Sequence, residues 1–162
     1  MNPRAATEQV PQVVFACVRN GGRSVIGRAL SEHYAQGRVR AVSAGTQPGE
    51  HIQPEVAEAL KRLGLDTSRE QPKVLTHETV ASSDMAITLG CGEECPYVPG
   101  VKYVDWPVAD PGGQDEETVR AIIADIDGRV RDPRAAGLSD TEPYAQARAA
   151  AEVLIERAVA TP

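Results

Sequence analysis

Val13-Val14-Phe15-Ala16-Cys17-Val18-Arg19-Asn20-Gly21-Gly22-Arg23-Ser24 decides how the rest of the chain is read. Its first four residues are apolar and largely β-branched, the pattern of a short buried strand. A polar, glycine-bearing stretch follows. Beyond it Val25, Ile26, Ala29, Leu30 and Tyr34 recur at helical spacing and stop before Gly37. A second apolar run at residues 39–44 returns as a strand. Strand, tight loop, helix and strand within about 30 residues is the size of a right-handed βαβ unit, whose two strands are parallel.

The same grammar continues outward. Pro54 stands at a helix N1 position with Glu55 in the first turn, Val56, Leu60 and Leu63 facing inward, Lys61 and Arg62 in the last turn, and Gly64 at C′. Residues 85–89 and 101–104 read as two further strands, separated by a loop at residues 90–100. Val119, Ile122, Ile123, Ile126 and Val130 form an apolar helical stripe. After a breaker region at residues 132–140 comes a last helix, with Pro143 at N1 and Ala147, Ala151, Leu154 and Ala158 on one face. Alternating strands and helices predict an α/β fold, a four-stranded, mostly parallel sheet flanked by helices on both sides. Residues 1–11 lack periodicity and read as a mobile arm, and residues 12–162 as a single domain.

Composition bounds the function. The chain has 162 residues, 41% apolar and 25% charged, the balance of one ordinary globular domain. No apolar run reaches the roughly 18 residues a membrane span needs. A net charge of -6 argues against a surface built to grip nucleic acid or an anionic membrane, and there is no basic recognition helix. Three cysteines are too few for a disulfide framework and fit a reducing cytoplasm.

The loop after the first strand carries the chemistry. In such sheets ligands bind beyond the C-terminal ends of the strands. Unpaired N–H groups at the start of a helix, with their partial positive charge, suit a tetrahedral oxyanion. Val18, Arg19, Asn20, Gly21, Gly22, Arg23 and Ser24 therefore form the candidate oxyanion cradle, Gly21 and Gly22 letting the backbone curl and Arg23 adding a bidentate clamp. The same field favours the thiolate of Cys17, a nucleophile, with Ser24 placed to hydrogen-bond its sulfur. Asp110 follows the fourth strand, and the bend of Pro111-Gly112-Gly113 aims its carboxyl back toward the loop as a general acid.

Cys91 and Cys95 lie in Gly90-Cys91-Gly92-Glu93-Glu94-Cys95-Pro96. One helical turn separates such a pair by about 6 Å between Cα atoms, within reach of a disulfide. Three readings stand: a redox pair in a segment able to refold, two small buried hydrophobes, or two zinc ligands joined by His77 or His51. A loop rich in Gly, Glu and Pro is a poor place to bury a thiol, and the zinc set lacks a fourth ligand. His33 falls on the exposed side of its helix, and Trp106 on the core or its rim.

Cys17, five residues, then Arg23-Ser24, together with Ser43-Ala44-Gly45-Thr46, Pro48 and Asp110-Pro111, resemble the low-molecular-weight protein tyrosine phosphatases and the arsenate reductases that share their fold. The resemblance covers nearly all of the chain after the arm. It implies Cys17 as nucleophile, Asn20 as the residue shaping the loop, Arg23 on the oxyanion, Ser24 on the thiolate and Asp110 as general acid. One nucleophile plus two later cysteines resembles the thioredoxin-coupled arsenate reductases. It implies that Cys17 attacks arsenate, Cys91 resolves the adduct, and Cys95 draws the disulfide to the surface for a thioredoxin-like reductant. Phosphate or sulfate would compete as oxyanions. No metal or cofactor, no nucleic acid and no membrane partner is implied, and the expected state is a cytoplasmic monomer. The alternatives are a low-molecular-weight phosphatase, a reductase resolved by a small-molecule thiol, and an arsenite-holding sensor. Some features depart from the family. Gly22 stands where many relatives carry a cysteine, and Arg28 where the potassium-binding reductases carry a glutamate, so no potassium site is expected. The redox cysteines are closely spaced. Gly112 and Gly113 stand where a phosphotyrosine site would offer a ring.

Overall fold

A computed structural model describes residues 10–132, 134, 135 and 145–160. Its elements run β1 (Gln12–Cys17), α1 (Arg23–Ala35), β2 (Arg40–Gly45), α2 (Pro54–Arg62), α3 (His77–Ala81), β3 (Met85–Thr88), a 3₁₀ turn (Gly92–Glu94), β4 (Lys102–Asp105), α4 (Glu116–Val130) and α5 (Ala145–Ala160). The four strands form one sheet in the order β2-β1-β3-β4, and every pairing is parallel. The expected α/β architecture is therefore present. Residues 1–9 of the expected arm, Pro143, and the side chains of Ala147 and Ala158 lie outside the described residues.

Alternation along β1 divides the interior in two. Val13, Phe15 and Cys17 join Met85 and Ile87 on one face, where the apolar stripes of α1, α2, α4 and α5 close the main core. Val14 and Ala16 join Ala86 on the other face, covered by Val80 of α3 and by Leu75, Cys91 and Val101. The second layer is thin: its cover includes the segment carrying the redox cysteines. On the main face α1 approaches β1 so closely that a Cβ on Gly27 would stand 2.5 Å from the Phe15 ring. Trp106 is 3% exposed and packs on the same ring at 6.0 Å between centroids.

Two expectations are adjusted. Leu63 does not face inward; it is 59% exposed, because α2 ends at Arg62 and Leu63 is already its C-cap. The helix α3 was not foreseen, since five residues are too few to show a helical period; it begins at Thr76, whose hydroxyl accepts from the Thr79 N–H at 3.1 Å.

The register fixes where chemistry can occur. Cys17 pairs with Gly45 and Ala16 with Thr88, so the C-terminal ends of three strands converge on the loop after β1. With β2 on one side of β1 and β3 on the other, the strand order reverses at β1, the place where an α/β sheet opens a ligand crevice.

Candidate functional site

The loop between β1 and α1 is shaped from outside. The Cys17 carbonyl accepts from the Thr46 N–H at 3.1 Å, Val18 from Gln47 at 2.7 Å, Arg19 from Gly49 at 3.0 Å and Gly21 from Gln53 at 2.9 Å. The β2–α2 connection thus takes the loop's carbonyls in succession. With its oxygens engaged outward, the loop leaves the N–H groups of Arg19, Gly21, Gly22 and Arg23 without a protein acceptor among the described residues. That is the donor set a tetrahedral anion requires. Gly45 makes this possible, because a Cβ there would lie 2.6 Å from the Val18 carbonyl oxygen and 2.8 Å from the Asn20 nitrogen. Both are backbone atoms with no room to yield.

Cys17 is 2% exposed and is the free cysteine. Its sulfur lies 2.9 Å from the Ser24 hydroxyl and accepts the Asn20 N–H at 3.3 Å. Asn20 holds φ at 53°, a left-handed conformation that asparagine tolerates better than most residues, and it is fully buried. Its side-chain amide donates to the Ser24 hydroxyl at 2.8 Å and accepts from the Lys73 N–H at 3.0 Å. The Ser24 hydroxyl, receiving the Asn20 amide, is left to give its own proton to sulfur. Two donors are thus aimed at one sulfur.

Arg23 meets three segments. It sits at the first position of α1, and Nη1 donates to the Val108 carbonyl at 3.2 Å, two residues before Asp110. Its guanidinium also lies beside Gly90, 2.4 Å from where a Cβ there would be, and φ at Gly90 is +86°. The positive φ favours glycine immediately before Cys91, and a side chain there would also push the Arg23 guanidinium aside. Asp110 is exposed, and its Oδ1 accepts the Gly112 N–H at 2.9 Å, closing the turn foreseen from Pro111-Gly112-Gly113. That turn abuts the oxyanion loop: a Cβ on Gly22 would stand 2.8 Å from Pro111 Cγ and 2.9 Å from Gln53 Oε1.

Cys91 and Cys95 form a disulfide, with Cα atoms 6.0 Å apart across the 3₁₀ turn. The disulfide uses both sulfurs, and among the described residues there is no group of three or more His, Cys, Asp or Glu side chains that could hold a metal ion. His51 and His77 are exposed. Cys91 corrects one expectation: despite its glycine-rich loop it is 5% exposed, packed in the second core, whereas Cys95 is half-buried. Cys91 Sγ lies 3.8 Å from the carbonyl oxygen of Ala16, the residue before Cys17. The two cysteines are thus neighbours across the C-terminal edge of the sheet, on opposite faces. Beyond Cys95, the Tyr103 hydroxyl accepts from the Val98 N–H at 2.7 Å and donates to the Pro96 carbonyl at 2.8 Å, and burial raises its pKa above the usual tyrosine value. Arg28 is engaged by Glu32 and by Glu70, the latter at 2.7 Å.

Sequence reasoning missed Gln53, Gly45, Lys73 and Tyr103. Three of them act through tertiary approach or backbone atoms, which leave no local pattern. Gly45 stands out in the sequence only as part of Ser43-Ala44-Gly45-Thr46, which carries no sign of its close approach to the loop.

Residues 12–136 match the model of the low molecular weight phosphotyrosine protein phosphatase family. A relative from Halobacterium salinarum, named as a candidate arsenate reductase, is 35% identical over 123 residues, covering 73% of this chain and 87% of that protein. A Synechocystis protein named glutaredoxin arsenate reductase is 26% identical over 122 residues, covering 74% of this chain and 92% of its own. Among solved structures, the Corynebacterium glutamicum thioredoxin-dependent arsenate reductase superposes with a TM-score of 0.68 at 44% identity. That match covers 77% of this chain and 60% of the longer Corynebacterium chain.

Proposed function

The chain belongs to the low molecular weight phosphotyrosine protein phosphatase family, and we propose that within it this protein is an arsenate reductase working through a Cys17/Cys91/Cys95 relay. One observation carries the reading: Cys17 is free in its donor-lined loop while Cys91 and Cys95 are bonded to each other, with Cys91 one residue away from Cys17 across the sheet edge. That is the arrangement the relay leaves behind after one turnover. Residues 12–162 form the catalytic domain in this proposal.

The geometry supports a sequence of steps for this reading. Arsenate enters among the N–H groups of Arg19, Gly21, Gly22 and Arg23, and the Arg23 side chain turns to it. The Cys17 thiolate attacks arsenic, forming a sulfur–arsenic bond as an arsenic–oxygen bond breaks; Asp110 protonates that oxygen, which leaves as water. The Cys91 thiolate then attacks the Cys17 sulfur. The sulfur–arsenic bond breaks with its electron pair passing to arsenic, so arsenic(V) leaves as arsenite and a Cys17–Cys91 disulfide remains. Cys95 attacks Cys91 and returns Cys17 as a thiolate. Of the final pair only Cys95 reaches the surface, so a thioredoxin-like dithiol attacks Cys95 and expels Cys91. Phosphate fits the same loop but has no reduced state to collect the electron pair. A phosphatase would use Cys17, Arg23 and Asp110 alone and would leave the cysteine pair without a task.

We place the protein in a reducing cytoplasm as a monomer, since a permanent oligomer over Cys95 would bar its reductant; no described helix is long and apolar enough to cross a membrane. The test is arsenate-dependent NADPH oxidation in the presence of thioredoxin and its reductase. Cys91→Ser and Cys95→Ser should each abolish multiple turnover, as should Cys17→Ser. Wild-type rates in both Cys91→Ser and Cys95→Ser, or turnover only with small-molecule thiols, would overturn the relay.

A further inference from the structure

The oxyanion loop and the turn that carries Asp110 are joined through the start of α2. Gln53, the residue before that helix, gives its N–H to the Gly21 carbonyl at 2.9 Å and so holds the loop. Two residues on, Glu55 Oε1 accepts the Gly113 N–H at 3.1 Å and so holds the turn. Inside the turn, Asp110 Oδ1 accepts the Gly112 N–H at 2.9 Å and the Pro111 carbonyl accepts the Gln114 N–H at 3.1 Å. Both of these bonds are local: they shape the turn and do not place it. Among the described residues, the hydrogen bonds that tie residues 108–114 to the rest of the molecule come from Arg23, on the Val108 carbonyl, and from Glu55. Val108 and Pro111 are buried and seat the segment, but apolar packing is non-directional. In the proposed mechanism Arg23 gives up Val108 as it turns to the anion. Glu55 is then the hydrogen bond that remains, at the step where the acid must act.

We propose that Glu55 is the positioning residue of the general acid: its carboxylate fixes the Asp110 turn in register with the oxyanion loop, so that the Asp110 carboxyl meets the departing oxygen. This deepens the general-acid step of the proposed function and rests on it. With Oδ1 of Asp110 taken by the Gly112 N–H, Oδ2 is the oxygen that carries the proton. The oxygen leaving arsenic takes that proton and departs as water, and Asp110 is left as a carboxylate. Such a transfer needs the two oxygens within about 2.6–3.2 Å, so a turn displaced by about 1 Å loses most of the benefit. Gln53 and Glu55 sit two residues apart on one backbone, so loop and acid are referenced to the same point.

Two measurements test this. In the first, fully reduced protein is mixed with arsenate and no external reductant, and the loss of thiols is timed across arsenate concentrations. Glu55→Ala should lower the saturating rate by about tenfold while the half-saturating arsenate concentration stays within about threefold. Glu55→Gln keeps an acceptor for the Gly113 N–H and should recover most of that loss. In an Asp110→Asn background, Glu55→Ala should cost less than about twofold more, because its effect runs through Asp110. A wild-type rate in Glu55→Ala, no recovery in Glu55→Gln, or a full additional loss in the Asp110→Asn background would each overturn the proposal. The second measurement needs no arsenate. Amide exchange, followed by NMR on the disulfide form, should be faster by about threefold or more at both Gly112 and Gly113 in Glu55→Ala and close to wild type in Glu55→Gln. Exchange at Gly112 that ignores Glu55→Ala would also overturn the proposal, since the turn would then hold its place without Glu55. Wild type that keeps its thiols in arsenate, while Gly112 responds to Glu55→Ala, would count against the enzyme reading and leave the tether in place.

Discussion

At the scale of single residues the site depends on Asn20 as much as on Cys17. Its positive φ turns the loop, its N–H reaches the Cys17 sulfur, and its amide spans from Ser24 to Lys73. Truncating it would leave the Lys73 N–H without its acceptor and let the Ser24 hydroxyl rotate away from sulfur. Asn20→Ala should therefore slow iodoacetamide alkylation of Cys17 at neutral pH by about tenfold or more, and lower folding stability by about 1–3 kcal/mol. Ser24→Ala should reproduce most of the alkylation defect with less loss of stability. Equal alkylation rates in all three proteins would show that these donors do not hold the thiolate. Sequence alone marked Cys17, Asn20, Arg23 and Ser24, because a nucleophile, a curling glycine pair and an arginine at fixed spacing form a local pattern. It did not mark Gln53, whose position depends on Gly22 and Gly112 meeting from different parts of the chain.

At the scale of elements the proposed relay requires Cys91 to move from the thin face of the sheet to Cys17 at its edge. The segment that carries it is held at both ends. Arg23 lies on Gly90 at the start, and Tyr103 pins Pro96 and Val98 after Cys95. Between these points the 3₁₀ turn is tethered by the Thr46 hydroxyl, which donates to Glu94 at 3.2 Å. In the proposed mechanism Arg23 turns to the anion and gives up its bond to the Val108 carbonyl, which would loosen the first of these holds as substrate arrives. Tyr103→Phe removes the second. It should cost about 1 kcal/mol of stability and speed reduction of the Cys91–Cys95 disulfide by dithiothreitol severalfold, read as the appearance of free thiols. A rate equal to wild type would mean that the segment opens without releasing Pro96 and Val98. The close spacing of the cysteines was legible in the sequence, down to a Cα separation near 6 Å. The burial of Cys91 was not, because composition made the loop look exposed and only packing against Val14 and Ala16 shows otherwise.

At the scale of the whole molecule, the fold was readable because each strand and long helix announced itself by period. The close approach of α1 to β1 over Gly27 and the outward turn of Leu63 were not, being products of packing and of where a helix stops. The global charge of -6 also misleads if taken alone. In the proposed function an anion binds against that field because four N–H groups, a helix N-terminus and Arg23 concentrate positive potential in one loop, and local potential at short range outweighs a dispersed surface charge screened within about 10 Å. The odd cysteine count has the same kind of resolution, one nucleophile and one pair. The central claim concerns that count and is tested by a single turnover. Fully reduced protein, with its three thiols, is mixed with excess arsenate and no external reductant, then quenched, titrated for thiols and mapped for disulfides. The relay predicts about one arsenite per chain, one remaining thiol on Cys17, and a Cys91–Cys95 disulfide. Three thiols surviving, or a second thiol lost to a bond between chains, would contradict it.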